Sequence, residues 1–366
     1  MYLRGVEFEN FRNIRSLDQT FRQGFVVIVG ENGSGKTNFL EGLYFGCSLR
    51  RFPESKFSQF FRVGENHFRL VIHSYAGEER RQELFCAKED NRYKSRIKLN
   101  NQSVSRQTYS PITPVISFLP QDLNLLVRSP GDRRWFLDEA LSNVFPKYRN
   151  AQISYNKALQ QRNELWEMIR SRGADMSELG VWDESLAEFG SLISHYRGIF
   201  LTYMNEKIGA VLDKLSPELS HIEFIYARSG SDSKEVFLQN LHEVRPKEEA
   251  LGTTVIGPHR DDFQANLGGT QIVGFISRGQ MRGVTLALKI VERNFIEENM
   301  GGQPILLLDD VFSELDAKHQ QKVVLFFGGL GQVFLTTTHL GEVLGVLPRD
   351  TQIFDVNAGV LAKKDV

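Results

Sequence analysis

Gly30-Glu31-Asn32-Gly33-Ser34-Gly35-Lys36-Thr37 is the stretch that decides how this sequence folds. It fits the pattern G-x-x-x-x-G-K-[ST], and its flanks are those the pattern needs. The run Phe-Val-Val-Ile-Val at 25–29 precedes it, apolar on both faces and so central in a sheet, and a helical stretch over 36–47 follows. Glycine lets successive backbone N–H groups turn inward around phosphates, and the helix N-terminus adds its partial positive charge. Glu31, Asn32, Ser34 and Asn38 complete the cradle. Lys36 is placed to reach β- and γ-phosphates, and the Thr37 hydroxyl to bind Mg²⁺. The expected ligands are ATP and Mg²⁺.

Working outward, Ile305-Leu306-Leu307-Leu308-Asp309-Asp310 is an apolar strand ending in two carboxylates. At the carboxyl edge of a parallel sheet such groups face the crevice where ligands bind. Asp309 is expected to hold Mg²⁺, directly or through water, and Asp310 to orient or deprotonate the attacking water. Gln121 lies just past a buried strand at 115–119, within reach of Mg²⁺ or that water. Thr336-Thr337-Thr338-His339 ends the strand at 333–336 and places His339 near the γ-phosphate. Ser277-Arg278-Gly279-Gln280 opens a long helix over 280–299, a second anion-binding helix end. Because the chain already has one phosphate cradle, this second reader points to the nucleotide of a partner copy.

The remaining strands are expected at 3–8, 221–227, 262–267 and 351–356, with an antiparallel meander over 68–106 and a helix over 130–143. Strands alternating with helices imply an α/β class with a mostly parallel sheet covered on both faces. Trp182, Leu186, Phe189, Ile193, Tyr196, Phe200 and Tyr203 recur at alternating steps of four and three, the seam of a coiled coil. Phe145, Tyr148, Tyr155, Leu159, Trp166 and Ile169 fit the same repeat, interrupted by Gln152 and Arg162, and 171–180 suits a reversal. The prediction is a helical hairpin over 145–205, each arm reaching about 36 Å for about 24 residues. The pieces make an ABC-type ATPase head: an N-terminal lobe at 1–130, a helical arm at 131–255 as a second lobe, and a C-terminal lobe at 256–366.

Composition narrows the class. No apolar run spans a bilayer, the N-terminus reads as a strand rather than a signal, and Cys47 and Cys86 lack CxxC spacing. A soluble cytoplasmic protein is expected. The net charge of −1 argues against constitutive nucleic-acid binding, yet residues 1–134 hold 21 Lys/Arg against 14 Asp/Glu. Chance asymmetry and a basic face for phosphate backbones both fit. On the second reading Arg50, Arg51, Lys56, Arg62, Arg92, Lys94 and Arg96 are the DNA-contact candidates. A metabolic kinase leaves the Ser277–Gln280 segment unused. A transporter motor lacks a hairpin between cradle and signature, and sixty heptad residues are too few for a structural coiled coil.

Phe8-Glu9-Asn10-Phe11-Arg12-Asn13, the phosphate loop with its continuation Asn38-Phe39-Leu40-Glu41-Gly42-Leu43-Tyr44, and Ser129-Pro130-Gly131-Asp132-Arg133-Arg134-Trp135-Phe136-Leu137-Asp138 resemble the RecF family, relatives of the SMC and Rad50 ATPases. So do Gly257-Pro258-His259-Arg260-Asp261-Asp262, Ser277–Gln280 with Leu286-Ala287-Leu288-Lys289, and Leu308-Asp309-Asp310-Val311-Phe312-Ser313-Glu314-Leu315-Asp316. The resemblance spans the whole chain in order. It implies a protein of DNA replication, repair and the SOS response that dimerises on ATP and clamps duplex DNA near single-strand gaps. It also implies work with RecR, and indirectly RecO, to help load RecA, with slow ATP hydrolysis releasing the dimer. Ser277, Gly279 and Gln280 become the signature acting in trans, Asp316 the loop residue at the dimer seam, and Arg12 and Asn13 neighbours of the nucleotide. Two departures stand out. The family commonly carries Glu where this chain has Gln121, and His339 resembles the switch histidine of ABC ATPases at large rather than of RecF. His259 and Arg260 are left between contacting DNA and joining the lobes, and the hairpin between holding DNA, a partner or neither.

Overall fold

The computed structural model describes residues 1–90, 92–106, 109, 113–315, 317–327 and 331–364. The chain divides into two compact units, one of Met1–Leu123 with Glu292–Val366, the other of Asn124–Val291. Residues 256–291, grouped by sequence with the C-terminal lobe, therefore fold with the helical part.

The first unit begins with β1 (Tyr2–Phe11), β2 (Ile14–Thr20), β3 (Phe25–Val29) and α1 (Lys36–Ser48). β4 (His67–Tyr75), β5 (Glu79–Glu89), β6 (Arg92–Leu99), β7 (Gln102–Val104) and β8 (Val115–Phe118) follow. The meander is as expected, and β1 and β2 join it in a six-stranded antiparallel sheet, β2-β1-β4-β5-β6-β7. After the second unit the chain returns with β12 (Ile305–Asp309), α8 (Ala317–Phe327), β13 (Val333–Thr337), α9 (Leu340–Leu344), β14 (Gln352–Asn357) and β15 (Val360–Lys364). These complete the order β15-β14-β3-β13-β12-β8, parallel except for the edge strand β15. The helix α1 packs against strands of both sheets, which explains why it is apolar nearly all round, with Phe39, Leu40, Leu43, Tyr44 and Phe45 all buried. Gly42 is required there, since a Cβ would lie 2.5 Å from Phe8 Cε2. Cys47 and Cys86 are buried free thiols, each pushed up to about 12 chiefly by burial.

The second unit holds α2 (Pro130–Val144), α3 (Pro146–Arg172), α4 (Leu179–Leu215), β9 (Ile222–Ala227), α5 (Lys234–Glu243), α6 (Arg245–Leu251), β10 (Asp262–Leu267), β11 (Thr270–Gln271) and the start of α7 (Arg278–Met300). The strands at 222–227 and 262–267 do not enter the parallel sheet, as the alternation of strands and helices had implied. They pair antiparallel with each other and, through β11, form a separate sheet. The hairpin is present, but its arms are unequal: α3 has 27 residues and α4 has 37, about 40 and 55 Å at 1.5 Å per residue. The seam also differs. Arg162, read as an interruption, is fully buried. Its Nε donates to Asp183 Oδ1 of α4 at 2.7 Å and its Nη2 to Glu248 Oε2 of α6 at 2.6 Å. A charge inside a heptad seam is tolerated because both partners are buried with it. Leu165, Trp166 and Leu179 close the hairpin's tip as a small core of their own. Among the described residues no helix is long and apolar enough to cross a membrane.

Candidate functional site

The phosphate loop leaves the carboxyl end of β3, and positive φ values at Gly33 (79°) and Gly35 (117°) produce the turn that starts α1. Lys36 folds back over the loop, its Nζ donating to the carbonyls of Gly30 at 2.7 Å and Glu31 at 3.0 Å. Burial lowers its pKa, with Asp310 and Asp309 opposing that fall. The Thr37 hydroxyl donates to Asp309 Oδ2 at 2.9 Å, and Thr336 Oγ1 donates to Asp309 Oδ1 at 2.7 Å. Burial raises the Asp309 carboxyl, and the neighbouring Asp310 adds to the rise against the threonine bonds and Lys36. Asp310 itself sits at φ 47°, its N–H donating to Thr336 Oγ1 at 2.9 Å.

Two oxygen donors in contact, one on a carboxylate that burial leaves short of countercharge, are what a hard divalent cation takes. The loop fits phosphate on a separate observation. Ser34 Oγ is buried with no hydrogen-bond partner among the described residues, and a Cβ on Gly30 would lie 2.6 Å from it. A cavity of about 520 Å³ opens beside the loop, lined by Glu31, Asn32 and Ser34 on one side and residues 355–358 on the other. Gln121 stands half-buried in the 3-10 turn Pro120–Asn124 just past β8. His339 is exposed at the start of α9, its N–H donating to Thr337 Oγ1 at 3.2 Å. The ends of β3, β8, β12 and β13 thus bring the loop, Gln121, Asp309, Asp310 and His339 to one edge of the parallel sheet.

Arg12 and Asn13 form the tight turn between β1 and β2. Asn13 Nδ2 donates to the Ser34 carbonyl at 3.2 Å, and Asn13 Oδ1 accepts from Asn38 Nδ2 at 2.9 Å. Arg12 is drawn away from the loop to Glu41 Oε2, at 2.7 Å from its Nε, and to Ser55 Oγ at 3.1 Å. Sequence reasoning missed Glu41, Ser55 and Thr336. The one available signal was a carboxylate in an otherwise apolar helix.

Ser277, Gly279 and Gln280 belong to the second unit. Ser277 caps α7 reciprocally with Gln280: the Gln280 N–H donates to Ser277 Oγ at 3.2 Å and the Ser277 N–H to Gln280 Oε1 at 2.9 Å. Ser277 and Gly279 are exposed. Asp316 lies outside the described residues. Of the DNA-contact candidates, Arg92, Lys94 and Arg96 alternate along β6 on one exposed face, which Lys98 continues; Lys94 pairs with Glu89. Arg51 and Lys56 are exposed and Arg50 half-buried, whereas Arg62 Nη1 is committed to the Asn13 carbonyl.

The family model for the RecF/RecN/SMC N-terminal domain matches residues 2–360. The DNA replication and repair protein RecF of Leptospira interrogans is 34% identical over 98% of this chain and 98% of its own. The chain belongs to the RecF family. The RecF protein of Lachnoclostridium phytofermentans is 32% identical over 99% of this chain and all of its own. A solved structure of the recombination mediator protein RecF-ATPrS in the RecFOR pathway superposes with a TM-score of 0.88 at 29% identity, covering 100% of this chain and 98% of that one. The RecF-ATP structure of the same pathway gives 0.84 at 28% with the same coverage. An Smc head bound to the C-winged helix domain of ScpA, at 15% identity and 0.54 over 100% of this chain and 98% of that one, shares the fold. The fold is the ABC-type ATPase head of RecF and SMC proteins with a long helical insertion.

In this chain the carboxylates of the Gly257–Asp262 segment are engaged by side chains and backbone of the second unit. Asp261, fully buried, accepts from Arg197 Nη1 at 3.1 Å, the Ser229 N–H at 2.7 Å and the Tyr226 hydroxyl. Asp262 takes a bidentate bond from Arg133 at 2.6 and 2.8 Å. His259 Nδ1 meets the Tyr155 hydroxyl at 2.7 Å, and burial pushes its pKa down to about 4. All these partners lie within the second unit, so the segment ties α2, α3 and α4 to the β9–β10 sheet.

Proposed function

We propose that this chain is an ATP-dependent DNA-binding clamp of recombinational repair and replication, a slow ATPase whose nucleotide state sets its association with a second copy. The observation that carries the reading is Lys36, Thr37 and Asp309 converging at the carboxyl edge of the parallel sheet beside a cradle with an orphaned Ser34 hydroxyl. The RecF-ATP likeness over the full chain supports it. Thr37 and Asp309 hold Mg²⁺, with Gln121 near it; the cation supplies charge neutralisation at the phosphates. Lys36, released from the Gly30 and Glu31 carbonyls, takes the phosphate oxygens. Asp310 orients the attacking water, and His339 faces the γ-phosphate. Ser277 and Gly279, exposed at the start of α7, and the half-buried Gln280 read the nucleotide of the other copy.

On this reading the substrate is duplex DNA at gaps or single-strand junctions. RecR is the direct partner, RecO and RecA act in the same pathway, and the protein works in the cytoplasm without a membrane. The exposed cations of β6, with Arg50, Arg51 and Lys56, supply non-specific phosphate contacts. Duplex affinity measured against salt, with and without ATP, tests this: tighter and more salt-dependent binding with ATP is expected, and equal affinity in both states contradicts the switch.

A further inference from the structure

Glu41 is 1% exposed on a helix whose other inward residues are almost all apolar, and burying a carboxylate is costly unless every oxygen is satisfied. Here both are. Oε2 receives Arg12 through Nε at 2.7 Å and Nη2 at 2.5 Å, and Oε1 receives the Ser55 hydroxyl. Arg12 is further fixed by its N–H on the Phe60 carbonyl at 2.9 Å and by its guanidinium over the Phe60 ring at 5.3 Å. These contacts hold a residue that stands at φ 55°, where a non-glycine backbone is disfavoured.

The consequence falls on Asn13. With Arg12 anchored, the Asn13 side chain enters the space that Gly35 leaves, 2.7 Å from where a Cβ on Gly35 would be, and holds the Ser34 carbonyl. From the other side the Gly359 N–H holds the same carbonyl at 2.9 Å, and Gly359 packs so closely on Asn13 that a Cβ would lie 2.7 Å from its carbonyl oxygen. The phosphate loop is gripped between two hairpin turns, and one of them is set by Glu41.

We propose that Glu41 is a positioning residue for nucleotide binding, acting through Arg12 to fix the turn whose Asn13 side chain holds the phosphate loop in its cradle conformation. The inference rests on the phosphate loop being the nucleotide site. It assigns to Glu41 neither a contact with nucleotide nor a role in hydrolysis.

The test is a double-mutant cycle on the full chain, read as equilibrium affinity for a fluorescent ATP analogue with Mg²⁺. Glu41→Gln and Asn13→Ala are each expected to weaken binding by about tenfold, and the double variant by about tenfold as well, because both remove one constraint. Ser55→Ala should cost about threefold. If Glu41→Gln does not fold, Arg12→Lys keeps the charge but loses the planar fork, and its loss should likewise vanish in the Asn13→Ala background. Losses that multiply in the double variant, or unchanged affinity in Glu41→Gln, overturn the inference alone. A wild type that binds no nucleotide overturns the phosphate-loop reading and this inference with it.

Discussion

The nucleotide edge of the first unit and the interior of the helical unit are both built around charged side chains, but they use them in opposite ways. Beside the phosphate loop, Lys36 rests on carbonyls of its own loop and Ser34 Oγ has no partner among the described residues; such groups are placed for something that arrives. In the helical unit Arg162, Asp183, Arg197 and Asp261 are at most 3% exposed, and each is answered by an opposite charge. The difference teaches that a cluster of charged residues in a motif is a site only where its hydrogen-bonding capacity is left over. The sequence leaves His259 and Arg260 of Gly257–Asp262 between contacting DNA and joining the lobes; the carboxylates beside them are spent on Arg133 and Arg197.

Breaking the helical interior should have the largest effect. Arg162→Met leaves Asp183 and Glu248 buried with less countercharge and should destabilise that unit by about 3–5 kcal/mol. Trp135, Trp166 and Trp182 all lie in the second unit, so tryptophan fluorescence during denaturant unfolding reads it directly. Next, Lys36→Ala should weaken ATP about a hundredfold, ~2.8 kcal/mol, while leaving the tryptophan-reported midpoint where it was. A shift of that midpoint would blur the contrast between the two regions.

A smaller effect follows from His259, flanked by Arg134, Arg260 and Asp261. Its folded pKa lies below the ordinary histidine value, so the unfolded chain binds the extra proton between about pH 6.5 and 4, and stability falls as pH falls through that window. The tryptophan-reported stability should drop by roughly 2–3 kcal/mol across it, and His259→Gln should flatten the slope. Smallest is the β6 face: Arg96→Ala should leave both units folded and lower the salt slope of duplex binding by about 0.9.

The candidate site was legible where ligand chemistry would dictate residue types at fixed spacing. Gly30 to Thr37 and the Asp309-Asp310 pair announce themselves because a phosphate and a divalent cation need those donors whatever surrounds them. The Glu41–Arg12–Ser55 lock was not legible, because its members meet only when β1, α1 and the segment after it pack together. Arg162 was misjudged for the same reason: a seam tolerates a charge only if its partners arrive from elsewhere, and Glu248 is 86 residues away. Individual strands were legible from alternation, but alternation does not say which sheet a strand joins, so the separate β9–β10–β11 sheet was not legible behind the mostly parallel one.

Whether the nucleotide sets association with a second copy through its Ser277 segment is read by the molar mass in solution. The comparison is Mg²⁺ alone, with ADP and with a non-hydrolysable ATP analogue, in wild type and in Ser277→Arg. A dimer is expected only with the ATP analogue and only in wild type. A monomer throughout, or a dimer indifferent to nucleotide or to Ser277→Arg, would contradict it.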